Sequence, residues 1–235
     1  MAGRIRRAVL IALSLASAVA AAQEKTAAGQ WGGSVSLQSD QRYRGISLSD
    51  ERPQAQASLG YDGVSGWYGG ALLGRARFDA YRQSTMLLGY LGRVGPLATD
   101  LDAEAGLLLS HFASENAYDY GELYAGLIAP RWRLRLHLSP DYFGRDMRSL
   151  YADLELNRPL DAAWQLFAHL GVLQGLGGSA VHAHDTQADL RLGAAWRHGA
   201  YELQLSWVGV QRGGPYAAAY EQQRSTAVLG LLISF

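Results

Sequence analysis

The chain has 235 residues, with 21 Lys and Arg against 21 Asp and Glu, 28 Gly, 6 Trp, 13 Tyr, 5 Phe, 6 Pro and no Cys. The lack of cysteine excludes a disulfide scaffold and any Cys-ligated zinc or iron-sulfur centre. The balanced charge argues against a nucleic-acid binder, while abundant Gly and aromatics with few prolines suit many short strands joined by turns.

Arg4, Arg6 and Arg7 precede an apolar run from Ala8 to about Ala20, and Ala20-Ala21-Ala22 stand before the polar Gln23-Glu24-Lys25. This reads as a secretory signal peptide over residues 1–22; its apolar run is shorter than the ~20 residues of a spanning helix. The expected mature unit, 23–235, carries 18 basic residues once the three leader arginines are subtracted from 21, against 21 acidic ones, a formal charge of minus 3. No later segment is apolar without interruption for the length of a spanning helix.

Period-two alternation, the mark of a strand with two unlike faces, then recurs along the chain. Trp31, Gly33, Val35, Leu37 and Tyr43 oppose Ser34, Ser36, Gln38, Asp40, Arg42 and Arg44; Ala55, Ala57, Leu59 and Tyr61 oppose Gln54, Gln56 and Ser58. Segments 67–78 and 83–94 are glycine-rich, with Arg75 and Arg77 sharing a face in one and Met86, Leu88 and Tyr90 in the other. Next, Leu97, Leu101, Ala103, Ala105, Leu107 and Leu109 oppose Asp100, Asp102 and Glu104, followed by a weaker strand from Glu122 to Ile128. The clearest is Trp132-Arg133-Leu134-Arg135-Leu136-His137-Leu138, where every even position is large and apolar and every odd one basic. Leu150 to Asn157, Trp164 to Val172, Gln187 to Arg197, Tyr201 to Trp207 and Ala227 to Phe235 complete the series, setting Asp153 and Glu155, Asp189 and Arg191, and Glu202 on their polar faces.

About twelve strands result, an even number, each near the ~9–11 residues that a tilted strand needs to cross a bilayer. Expected tight turns lie at 62–66, Gly95-Pro96, Ala129-Pro130, 157–161 and His198-Gly199, and longer polar joins at 46–52, 78–82, 111–119, 139–149, 174–184 and 211–223. Short and long joins alternate, as in an up-and-down antiparallel transmembrane β-barrel with both termini on the short-turn rim. Trp31, Trp67, Trp132, Trp164 and Trp196 fall near short turns, where an interfacial girdle places such rings. A final Phe235 on an alternating strand looks like the signal read by the outer-membrane barrel assembly machinery.

Ser39-Asp40-Gln41-Arg42-Tyr43-Arg44-Gly45-Ile46-Ser47-Leu48-Ser49-Asp50, with Pro53-Gln54-Ala55-Gln56-Ala57, Gly60-Tyr61 and Ser65-Gly66-Trp67-Tyr68-Gly69-Gly70, resembles the N-terminal signature of the TorF family of porins. The third strand differs, carrying Leu72-Leu73-Gly74-Arg75 where that family tends to have a Trp-Gly-Ser-Asn run. The resemblance implies a barrel in the cell outer membrane that acts as a channel, without naming a solute.

Placing apolar positions on lipid sends Arg42, Arg44, Arg75, Arg77, Asp100, Asp102, Glu104, Glu122, Arg133, Arg135, Asp153, Glu155, Asp189, Arg191, Arg197 and Glu202 to the lumen as candidate pore-lining residues. A lipid-facing charge would cost ~2–4 kcal/mol near the midplane. The Arg133 and Arg135 strand neighbours that of Asp153 and Glu155, which permits cross-strand ion pairs. A mixed-charge lumen suits passive diffusion of small polar or ionic solutes. The same charges could instead neutralise one another in a filled, non-conducting barrel of structural or adhesive role. An outer-membrane hydrolase is less favoured, because His111, His137, His169, Ser110 and Ser139 show no triad or nucleophile-elbow spacing. His182-Ala183-His184-Asp185 is the nearest approach to a metal site, with plain solvation the simpler reading. No cofactor is expected: Gly175-Leu176-Gly177-Gly178 lacks the spacing of a dinucleotide loop.

Overall fold

The computed structural model describes residues 29–78, 81–211, 213–214 and 223–235; the expected leader over 1–22 lies outside them. Twelve antiparallel strands close into a barrel. Its wall is formed by β1 (Gln30–Gln38), β4 (Gln54–Asp62), β5 (Trp67–Arg77), β6 (Gln83–Ala98), β7 (Leu101–Phe112), β8 (Tyr120–Ala129), β9 (Trp132–Ser139), β10 (Met147–Pro159), β11 (Trp164–Gly178), β12 (Thr186–His198), β13 (Tyr201–Val210) and β14 (Ser225–Ser234). Each strand pairs with its wall neighbours in sequence and β1 closes on β14, for example through Ser34 opposite Ser234. Two further strands, β2 (Arg42–Tyr43) and β3 (Ile46–Ser47), form a separate two-stranded hairpin.

The alternation sets the two faces as expected through most of the wall. Leu134, Leu136 and Leu138 of β9 are exposed outward, and Arg135, His137 and Ser139 are buried inward. Trp31, Trp67, Trp132 and Trp164 are exposed at the short-turn rim, joined by Tyr201 and Phe235. Among the described residues no helix is long and apolar enough to span a membrane; the continuous apolar surface is the outside of the barrel.

Three local expectations fail, each for a packing reason. The first wall strand ends at Gln38, so Tyr43 is buried inside the barrel instead of facing out. In β5 the inward positions are Tyr68, Leu72, Gly74 and Ala76, and Ala76 is fully buried; Arg75 and Arg77 therefore fall on the outer face at the long-loop rim. Their cost there is small, because a guanidinium above the apolar band reaches water and headgroups. In β6 the shared face of Met86, Leu88 and Tyr90 is the inner one, while Leu87 and Leu91 face outward. Finally, the turn expected at Gly95-Pro96 lies instead at Thr99-Asp100. β6 continues past Pro96 through a register shift, Asp100 adopts a left-handed φ of 57°, and Leu97 belongs to β6. Asp100 is thus a turn residue at the rim and does not face the lumen.

Candidate functional site: a charged lumen closed by an inserted hairpin

After Gln38 the chain leaves the wall and turns into the barrel. Residues 40–45 and 47–49 are all buried. Buried loops are unusual because their polar groups must find partners, and this one finds most of them within itself and across the lumen, leaving Gln41 Nε2, Arg42 Nη2 and Arg44 Nη1 without a hydrogen bond. Asp40 organises the hairpin: its Oδ1 accepts hydrogen bonds from the Ser47 and Ser49 hydroxyls at 2.6 and 3.1 Å, and its Oδ2 accepts from Arg42 Nε at 2.6 Å. Arg42 Nη1 also donates to the carbonyls of Gly45 and Gln223. The β2–β3 turn uses left-handed backbone at Arg44 (φ 50°) and Gly45 (φ 80°). A Cβ on Gly45 would sit 2.8 Å from both Asp189 and Val210 side-chain atoms, so this turn rests directly on the β12–β13 wall. Opposite, Arg44 Nη2 meets Glu122 Oε2 of β8 at 2.7 Å, with its guanidinium 4.0 Å from the Tyr151 ring centroid. The hairpin therefore spans the lumen. Arg42 and Arg44 lie inside the barrel as expected, but on this insert instead of the wall.

A second loop reinforces the closure. Tyr142 and Phe143, between β9 and β10, are buried, and Phe143 stacks on Tyr120 at 4.6 Å and Phe112 at 5.9 Å. Together with Tyr43, Leu48, Met86, Met147 and Leu173 they form an apolar cluster under the long-loop mouth. Burial pushes the hydroxyls of Tyr43 and Tyr142 well above the ordinary tyrosine range, so both stay neutral beside the Arg44–Glu122 pair. Of the six described non-glycine residues with positive φ, five lie in these two loops: Arg44, Asp50, Glu51, Phe143 and Asp146. Backbone held in this sparse region persists only where packing enforces it.

Below the hairpin, the acidic side chains of the wall alternate with histidines and arginines in a continuous chain of contacts. His137 lies 3.1 Å from Glu122 through Nδ1 and 3.1 Å from Asp153 through Nε2. His169 lies 2.9 Å from Glu155 through Nδ1 and 3.0 Å from Asp189 through Nε2, with Tyr151 bonded to the same centre. Arg135 forks onto Glu104 at 2.5 and 2.9 Å, and Tyr68 donates to the same carboxylate at 2.6 Å. Asp153 stands opposite Arg135 and Glu155 opposite Arg133 in the sheet register, as the sequence suggests, yet the close partners of Arg135 and Asp153 are Glu104 and His137. The reason is local: Gly126 has no side chain between Arg135 and Glu104, and a Cβ there would be 2.9 Å from Arg135 Cγ and 3.0 Å from Glu104 Oε1. Glu202 binds Arg197 and Gln204. Arg191 donates to Ser206 and Gln204 and lies over Phe167. Asp102 lies half-buried on the inward face near the short-turn rim.

The histidines stand apart from a hydrolase arrangement: His111 binds Asp119, His137 and His169 face carboxylates, and Ser139 donates to the Gly121 carbonyl. His182 binds Asp185, while His184 lies near Gly177. Among the described residues the one grouping with metal-ligand geometry is Asp153, Glu155 and His169, whose ligand atoms lie within 4.8 Å of one another. Both His169 nitrogens and Asp153 are already committed to protein partners, so the donor set reads as an ion-pair network. What sequence reasoning missed was the insertion itself and the aromatic seal. The nearest signal was the dense polar run 38–44, which continues the alternation of β1 while ending its apolar face.

A family model described as a bacterial protein of unknown function, Gcw_chp, matches residues 22–230. The chain belongs to the Gcw_chp family. No curated protein matches it. Among solved structures, the chain is similar in fold to the KdgM porin, with TM-score 0.55 and 10% identity over 88% of this chain and 99% of that one. It is also similar to the KdgM porin in complex with disordered oligogalacturonate, with TM-score 0.51 and 11% identity over 88% and 99%. A structure from work on in-meso crystallisation of membrane proteins gives TM-score 0.52 and 7% identity over 88% and 83%. At these identities the likeness bears on the fold alone, a closed antiparallel β-barrel.

Proposed function

We propose that this Gcw_chp protein resides in the outer membrane as a channel for passive diffusion of small polar or ionic solutes, closed in this conformation by the hairpin of residues 39–53. The observation that carries the reading is the division of labour inside the barrel. A wall rich in ionised side chains persists beneath a separate chain segment that blocks it, whereas a barrel filled only for stability would need no such charged wall. Fold similarity to porins supports the reading. So does the TorF-like signature, whose residues Ser39 to Asp50 are the hairpin itself. Candidate lining residues are those that face the lumen: Asp102, Glu104, Glu122, Arg133, Arg135, Asp153, Glu155, Asp189, Arg191 and Glu202 from the wall, and Arg42 and Arg44 from the hairpin. Mixed signs favour small dipolar solutes over long polyanions of one sign. Phe235, 77% exposed at the barrel's outer edge, is the proposed contact for the assembly machinery during insertion.

The competing reading is a non-conducting barrel, favoured by the aromatic filling of the lower lumen, where Tyr68 and Tyr124 meet at 2.9 Å beside Glu104. Replacing residues 40–52 by a short Gly-Ser linker separates the two. In planar bilayers the channel reading expects discrete conductance steps several-fold larger than those of the intact chain; a folded variant with no conductance would establish the non-conducting barrel.

A further inference from the structure

Between the inserted hairpin and the wall of β11–β14 lies a small cavity of about 20 Å³, the room taken by one water or one halide ion. Arg42 and Arg44 line it from the hairpin, and His169, Asp189 and Arg191 from the wall, with Asp40 at its edge. The Arg42 and Arg44 side chains are only 4% and 3% exposed, yet Arg42 Nη2 and Arg44 Nη1 each lack a hydrogen-bond partner. Glu51 Oε1 lies 3.7 Å from Arg42 Nη2, beyond hydrogen-bond distance. Buried charged donors left unmatched are costly and call for an unseen acceptor.

The lining acids already have donors on every oxygen. Asp40 takes the two serine hydroxyls and Arg42, and Asp189 takes His169 and Tyr151. The cavity thus offers two unmatched guanidinium nitrogens and no carboxylate oxygen without a donor. A water placed there would find donors but would struggle to place its own two hydrogens, whereas an anion needs only donors.

We infer that this cavity is a binding site for a small monovalent anion of chloride size, held by Arg42 and Arg44 against the Arg191 side of the wall. The anion bridges the hairpin to the barrel and locks it in the closed position. This site does not depend on conduction: a barrel that passes no ions would still bind the anion, so the two ideas fail separately.

Bromide is the probe. The purified full-length barrel in detergent is melted in sodium bromide and in sodium gluconate at equal ionic strength, and crystals grown in bromide are measured at the bromine absorption edge. The expected result is a melting temperature that rises saturably with bromide but not with gluconate, and an anomalous peak within contact of Arg42 and Arg44. Arg191→Gln, on the wall and outside the hairpin's own hydrogen bonds, should weaken the bromide half-saturation by about tenfold. Equal melting curves in the two salts, or an ordered water with no anomalous signal in the cavity, would overturn the site. Should the variant fail to fold, the wild-type anomalous map decides by itself.

Discussion

Arg44 concentrates more of this structure than any other side chain. It pairs with Glu122 at 2.7 Å, faces the rings of Tyr43, Tyr142 and Tyr151, and occupies a left-handed turn. Removing one partner of a buried pair leaves the other charge uncompensated, at a typical cost of 3–5 kcal/mol. Arg44→Ala is therefore expected to destabilise the barrel by about that amount, read from urea titration of the protein folded into lipid vesicles. A milder test concerns Gly126, whose missing side chain lets Arg135 reach Glu104. Gly126→Ala should cost about 1–3 kcal/mol through forced displacement of that fork, and unchanged stability would show that the pair does not need the gap. The lumen charges near the midplane were legible, because a charged residue in an alternating strand has only the inner face available there, whereas Arg75, Arg77 and Asp100, close to the rims, escape that rule. Their partners were not: the choice of Glu104 over Asp153 by Arg135 depends on a glycine one strand away.

At the scale of elements, the hairpin of β2 and β3 decides what fills the lumen, and in the proposed channel it is the barrier. Its turn at Gly45 combines φ of 80° with contact to Asp189 and Val210. Gly45→Ala is expected to destabilise the docked hairpin by about 1–3 kcal/mol and to raise the frequency of open events in single-channel recordings, without altering the heat-modifiable gel shift of the folded wall. Identical gating statistics would argue that the hairpin is not the barrier. Sequence pattern continues the first strand through Arg44, and period two offers no signal for where a strand leaves a wall. Only the partners across the lumen, Glu122, Tyr151 and Asp189, make the buried course of residues 40–49 favourable, and they lie 78 to 145 residues beyond Arg44 in the chain.

For the whole molecule, the outer surface is the determinant. Leu136 is 48% exposed at the middle of β9, so Leu136→Arg would place a charge near the bilayer midplane and should cost about 2–4 kcal/mol of folding free energy in vesicles. Arg75 already occupies the same face at the long-loop rim. Arg75→Leu is accordingly expected to change stability little, within about 1 kcal/mol by the same depth scale; a large loss would mean that this guanidinium has a specific partner outside the barrel.

Strand number, order and inside-outside sense of the barrel followed from the sequence by itself, because alternation, strand length and the rhythm of short and long joins are local properties repeated twelve times. The phase of a strand is hidden where both faces carry apolar or small residues: β5 turned Tyr68 and Ala76 inward and Arg75 and Arg77 outward, and β6, whose side the pattern left open, buries Met86 and Leu88. The tertiary structure alone decided what fills the lumen. Closure of the wall brings Glu122, Tyr151 and Asp189 within reach of a hairpin from the first loop, and buried charge must be paired wherever the fold allows it.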